Sequence, residues 1–248
     1  NFYLTDYSTN TPRYRGYFDV KDLNVTAFTK NKQVGLVTGK FNVDGRSFDI
    51  NNMHLRTKSE IARIELMGKN ITNVVLDGVL DRKTYNGLVN VNDPHAKAKV
   101  KGLVDFSTKR LKADIIADLQ YVDLKHFGVA AGDMNSVSGY IDGKIAMTDL
   151  NDLNLDANVK NLTLVSPKQK LVLPTSDIKA FFENGNRIVS VDAPGAVNGR
   201  VEGRFNLEDI GKMVTNSINK ILVGNPPRKT YNGQYFNFDF DVKQGLVA

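Results

Sequence analysis

The residues of this chain with chemistry to offer are three histidines, His54, His95 and His126, and an acidic set of twenty-two Asp against five Glu. General acid–base work needs two carboxyls whose environments push their pKa values apart. The aspartates here fall mostly on polar strand faces and in turns, and nothing marks such a pair. No two histidines stand at a local metal-pair spacing, and His95 follows a turn proline, Pro94. Asp-rich turns invite calcium, but the chain contains no EF-hand loop. It also contains no phosphate loop, nucleophile elbow or dinucleotide fingerprint. With no cysteine, disulfides, thiol catalysis and Cys-ligated metals are excluded. The expectation is a non-enzymatic protein without catalytic residues, cofactor or metal.

The 248 residues carry a net charge of +6, with 24% charged and 41% hydrophobic residues. That composition is folded rather than disordered. The basic residues are scattered, which argues against a nucleic-acid stripe. Lys97, Lys99 and Lys101 form one basic row, whose plain reading is a soluble strand face. No apolar run is long enough to span a bilayer, and no secretory signal precedes the first residue. The chain opens at Asn1 without a methionine, so a middle segment of a longer protein is expected.

The elements that must carry these residues read as strands. The shortage of Glu and the wealth of Asp, Asn and Gly disfavour helices. "VNVNDPHAKAKVKGLVDF" (Val89–Phe106) is echoed by "VSVDAPGAVNGRVEGRF" (Val189–Phe205). In the first, Ala96, Ala98, Val100, Gly102, Val104 and Phe106 share one parity, with the three lysines on the other. In the second, Val197, Gly199, Val201, Gly203 and Phe205 oppose Asn198, Arg200, Glu202 and Arg204, and Gly195 restores the register after Pro194. Period-2 alternation puts each set on one face of a strand.

A shorter signature, apolar-x-apolar-x-[Asp/Asn]-apolar, occurs at 18–23, 48–53, 119–124, 145–150, 157–162 and 205–210. Alternation slips by one residue there, which predicts a β-bulge or Asx bend inside a continuing strand. Hairpin turns are expected at "DG" (44–45, 77–78, 142–143) and "NG" (86–87, 184–185, 232–233). One helix of about four turns is expected over about 207–223, capped by Asn206 and ended by Gly224, Pro226 and Pro227. "YFNFDFDV" then returns to a strand with Phe236, Phe238 and Phe240 on one side. The spacing predicts one continuous β segment over 1–248.

A long sheet with one dry face must hide that face, by filling its own interior or by curling into a trough. The glycines Gly102, Gly199 and Gly203 leave room on it. A trough would hold acyl chains, since each buried methylene contributes about 0.8 kcal/mol without any directional contact. The alternative is a structural or adhesive β scaffold with a filled core.

The repeats in "GLVNVNDPHAKAKVKGLVDFSTKRLKADIIADLQYVDLKHF", "SVSGYIDGKIAMTDLNDLNLDANVKNLTLVSP" and "VNGRVEGRFNLEDIGKMV…YFNFDFDVK" resemble the TamB family of the AsmA-like superfamily, in the form found in Bacteroidota. The resemblance implies a mainly β fold: an elongated, curved antiparallel sheet forming a U-shaped, taco-like groove. It implies a periplasmic phospholipid conduit, anchored in the inner membrane by an N-terminal helix absent here, that supports outer-membrane biogenesis. The implied partners are phospholipid acyl chains and an Omp85-type outer-membrane barrel, the latter through regions outside this segment. The expected groove residues are Ala98, Val100, Val104, Phe106, Ile115, Ala117, Leu119, Leu153, Leu155, Val159, Val197, Val201, Phe205, Phe236, Phe238 and Phe240.

Overall fold

The computed structural model describes residues 2–29, 34–128, 134–167, 170–207, 209 and 233–242. The chain is mainly β, 72% strand; the described residues form one open antiparallel sheet of 15 strands with almost no helix. The strands are β1 (Phe2–Thr5), β2 (Arg13–Asn24), β3 (Val34–Arg46), β4 (His54–Leu66), β5 (Lys69–Asp81), β6 (Thr84–Asp93), β7 (Ala96–Asp105) and β8 (Leu111–Asp123). They continue as β9 (Ser136–Met147), β10 (Asn154–Val165), β11 (Lys170–Leu173), β12 (Ser176–Glu183), β13 (Asn186–Ala193), β14 (Val197–Arg204) and β15 (Tyr235–Val242). Each pairs with its neighbour in sequence, except that β11 lies beside the far end of β10 and β12 beside its near end. A short helix α1 (Val25–Thr29) rests on β3, and a 3-10 turn (Leu150–Asp152) links β9 to β10. Among the described residues no helix is long and apolar enough to cross a membrane. The helix expected over 207–223 lies outside the described residues, apart from Leu207 and Asp209.

Alternation assigns the faces as the two repeated phrases predict. The phrases are the hairpins β6–β7 and β13–β14. The first turns through Pro94 and His95. The second needs one residue more, and Gly195 supplies it at φ +80. On the polar face opposite charges meet across strands: Arg15 faces Asp44, Asp114 faces Lys144, and Asp156 faces Lys179. These pairs come within 3.4, 3.8 and 3.8 Å. Each is exposed and contributes little stability, but a strand slipped by one residue would lose all of its own. The three lysines of β7 lie on this face in mid-sheet, opposite Asn92, Asn90 and Leu88 of β6.

The turn dipeptides correct the sequence reading. Asp44–Gly45, Asp77–Gly78, Asn86–Gly87 and Asp142–Gly143 lie inside β3, β5, β6 and β9. In each, the polar residue takes the wet face and glycine the dry one. Asn184–Gly185 is a turn as expected, and Asn232 lies outside the described residues. Other tight turns fall at Met67–Gly68, Arg82–Lys83 and Pro94–His95. Asn184–Gly185, Met67–Gly68 and Arg82–Lys83 have positive φ at both central residues, the type I′ geometry that suits twisted hairpins, whereas Pro94–His95 does not.

The Asp/Asn signature is a bulge at two of its six sites. Asp22 at φ +54 and Asn161 at φ +50 sit at register shifts, Val20/Leu23 against β3 and Lys160/Thr163 against β9. At 119–124 the shift falls earlier, between Leu119 and Val122. The copies at 48–53 and 145–150 lie where strands stop, and there the side chains serve turns: Asp49 accepts from Asn51 N–H, and Asp149 caps the 3-10 turn. The copy at 205–210 lies partly outside the described residues. A further shift in β4 places Ile61 opposite Gly39 and Ile64 opposite Val37. Val20/Leu23, Ile61/Ile64, Leu119/Val122 and Val159/Leu162 therefore span their bulges with both apolar residues kept on one side. All four lie toward the C-terminal ends of co-directional strands, in one band along one margin of the sheet.

Candidate functional site

The candidate site is the dry face itself. Cross-strand pairs extend it without interruption. One row reads Leu76, Val89, Val100, Ala117, Ile141 and Val159 from β5 to β10. Beyond a glycine-rich row through Gly78, Gly87, Gly102 and Gly143, another reads Leu80, Tyr85, Val104, Ala113, Ile145, Leu155, Ala180, Val189, Val201 and Phe238 from β5 to β15. Three hydroxyl intruders are satisfied within the face: Thr57 and Ser59 of β4 bond each other, and the Ser176 hydroxyl donates to the Pro174 carbonyl.

Most sequence-predicted residues occupy this face inside strands. Ala98, Val100 and Val104 lie on β7; Ile115, Ala117 and Leu119 on β8; Leu155 and Val159 on β10; Val197 and Val201 on β14; Phe236, Phe238 and Phe240 on β15. Phe106, Leu153 and Phe205 lie just beyond strand ends. Val159 and Ala117 are buried at 2% and 4%, whereas Phe238 and Phe240 stay 47% and 44% exposed. Phe205 is buried and meets Phe236 edge to face, with ring centroids 6.4 Å apart. Phe236, Phe238 and Phe240 follow one another at 5.8 and 6.3 Å along β15.

The buried clusters are small and join adjacent strands only. They centre on Val37, Ile61 and Val74; on Ala157, Val159 and Leu162; and on Val201 and Phe205. The main packing partners of each strand are its sheet neighbours. Among the described residues the strands pack edge to edge in one sheet, which makes them a single layer.

The glycines of the dry face have two different uses. A Cβ built on Gly102 or Gly203 would collide with the carbonyl oxygen of Asp114 or Tyr235 on the next strand; both have positive φ, +147 and +155. They permit close backbone approach. Gly199 is instead covered by the Phe240 ring of its cross-strand partner. Tyr85 likewise reaches over Gly78 and Gly87 and donates to the Leu88 carbonyl at 3.1 Å.

Two polar clusters sit at opposite margins, and the sequence reading singled out neither. Beside the bulge band, the His95 and His126 rings stack at 3.7 Å. His95 Nδ1 lies 3.2 Å from Asp123, whose other oxygen accepts His126 N–H at 2.9 Å. That backbone bond, more than the His95 contact, holds the Asp123 carboxyl below its ordinary pKa, although partial loss of water pushes the other way. Among the described residues no group of three or more His, Asp or Glu is placed to hold a metal ion.

At the other margin, Arg187 shares parity with Val189, Val191 and Ala193, so a charge stands on the apolar side. It is 2% exposed, with its guanidinium 4.4 Å from the Phe182 ring centroid. It donates to the Asn151 carbonyl through Nη2. Burial pulls its pKa down, while the fields of Asp152 and Asp149 oppose that shift. The signal was legible as a charge in an apolar register of "NRIVSVDA".

No protein-family model, curated protein or solved structure matches this chain.

Proposed function

We propose that this chain is a segment of a non-enzymatic lipid conduit of the TamB kind, working in the periplasm and shielding phospholipid acyl chains from water. One observation carries the reading: the apolar face runs unbroken across the strands as a single layer, with Phe238 and Phe240 open at its β15 end. The band of four bulges supports curvature, since each bulge bends its strand and increases local twist. Curling toward the dry side gives the U-shaped trough. Acyl chains then supply the second layer that the face lacks. In this reading a membrane anchor and the Omp85-type barrel partner act through other regions of the full-length protein.

A structural scaffold with a filled core is the second reading, favoured by the local clusters around Val159 and Val37. Expression of the 248-residue chain with isotopically labelled phospholipid separates the two. Retained lipid is expected in the wild type and not in the double variant Phe238→Asp/Phe240→Asp. Both rings are substantially exposed, so the variant should melt within a few degrees of the wild type. Lipid absent from the wild type, with the dry-face strands protected from hydrogen exchange, would support the scaffold instead.

A further inference from the structure

We propose that Arg187 is the anion-recognising end of the apolar face, and that it receives the phosphate of an anionic amphiphile whose hydrocarbon chain runs along Phe236, Phe238 and Phe240. The inference rests on the conduit reading and names the chemistry of its cargo.

A guanidinium cannot shed its proton at any working pH, so burying one demands compensation. Arg187 has little. Among the described residues its Nε and Nη1 are buried without a hydrogen-bond partner, and Nη2 alone donates, to a neutral carbonyl. The acids whose fields reach it are already engaged. Asp152 is held by Arg110 and by the N–H groups of Thr148 and Asp149, and Asp149 accepts from Asn151 N–H. Phe182 offers a ring face, which favours the cation but leaves the fork of donors empty. A fork with two free N–H directions matches the oxygens of a phosphate or carboxylate.

The surroundings supply the rest. Arg187 lines a concavity at the sheet margin together with Asn151, Phe182, Gly203, Phe205 and Gln234. Across the strands, Arg187 pairs with Gly203, and Gly203 pairs with Phe236. The row therefore reads arginine, bare backbone, aromatic ring. From Phe236 the rings of Phe238 and Phe240 lead away down the dry face. A charged head at one margin and a greasy track beside it is the pattern of an amphiphile.

The test is equilibrium binding of two fluorescent lipids with identical acyl chains, a phosphatidic acid and a diacylglycerol, to the 248-residue chain. The wild type should prefer the phosphatidic acid by about tenfold, the scale of a charge-assisted pair. Arg187→Gln should lose that preference while keeping its diacylglycerol affinity, and Arg187→Lys should keep part of it. Equal wild-type binding of the two lipids overturns the anion site and leaves the conduit standing. So does a preference that survives in a folded Arg187→Gln. Binding of neither lipid removes the conduit reading and this inference with it. Inorganic phosphate should compete only weakly; displacement at an affinity matching the lipid's would make this a free-anion site and overturn the lipid assignment. The wild-type comparison needs no variant, so a misfolded substitution cannot leave the question open.

Discussion

Tyr14 of β2 lies across Gly45 of β3. The two are cross-strand partners, and a Cβ on Gly45 would come within 2.8 Å of the tyrosine ring. Tyr14 is 6% exposed, stacks on Phe48 at 4.7 Å, and donates its hydroxyl to the Ser47 carbonyl at 3.3 Å. The ring takes the space of the missing side chain and closes the N-terminal end of the sheet.

Tyr14→Ala removes that closure and should cost about 3 kcal/mol locally. In a meander where strands rest mainly on their neighbours, the loss should stay near its origin. Hydrogen exchange is expected to accelerate across β1 to β3 while β8 to β10 keep their protection. Uniform acceleration through every strand would show that the sheet is one cooperative unit.

Gly102→Ala should destabilise by about 2 kcal/mol or more, because it adds strain at φ +147 to a collision with the Asp114 carbonyl. Val100→Ala on the same strand only trims a half-buried side chain and should cost less. Urea midpoints of the two variants check the order. An unchanged midpoint for Gly102→Ala would remove the close β7–β8 approach as a source of stability.

Asp93 links the β6–β7 turn to β5. It is 3% exposed and accepts the N–H and hydroxyl of Thr72, at 2.8 and 2.7 Å, and the N–H of His95 at 2.8 Å. Burial raises its pKa, but these bonds together outweigh burial and hold the carboxyl below its ordinary value. The stabilisation is therefore complete above the unfolded value of about 3.9 and is lost as pH falls through the lower folded value. Asp93→Asn should lower stability by about 2 kcal/mol at neutral pH. The gap from wild type should close in acid. A gap independent of pH would mean that charge has no part in it.

Alternation made the faces legible: the parity of Val100, Val201 and Phe238 predicts their side of the sheet, because a strand has only two. Turn chemistry misled. Asp-Gly and Asn-Gly favour tight turns locally, yet here each glycine at Gly78, Gly87 and Gly102 meets the next across the strands, and that register decides. Met67–Gly68 and Arg82–Lys83 turn with weaker local preference because the flanking strands fix where they end. Asp22 and Asn161 were readable as bulges, since a short polar side chain tolerates positive φ. The stacked histidines were not, because His95 and His126 are brought together by pairing of β7 with β8 and by no local pattern. Arg187 was visible as a misplaced charge, but its empty donors depend on where Asp152 and Arg110 lie.

Pairing in simple sequence order has a consequence for size. Neighbouring strands lie about 4.8 Å apart, so the fourteen in line reach about 60 Å from β1 to β15. Reach in such an arrangement is a linear count: every hairpin inserted lengthens it by about 10 Å without altering its cross-section. A protein built this way keeps a ruler in its own gene, and evolution can adjust its length by duplicating or deleting pairs of strands.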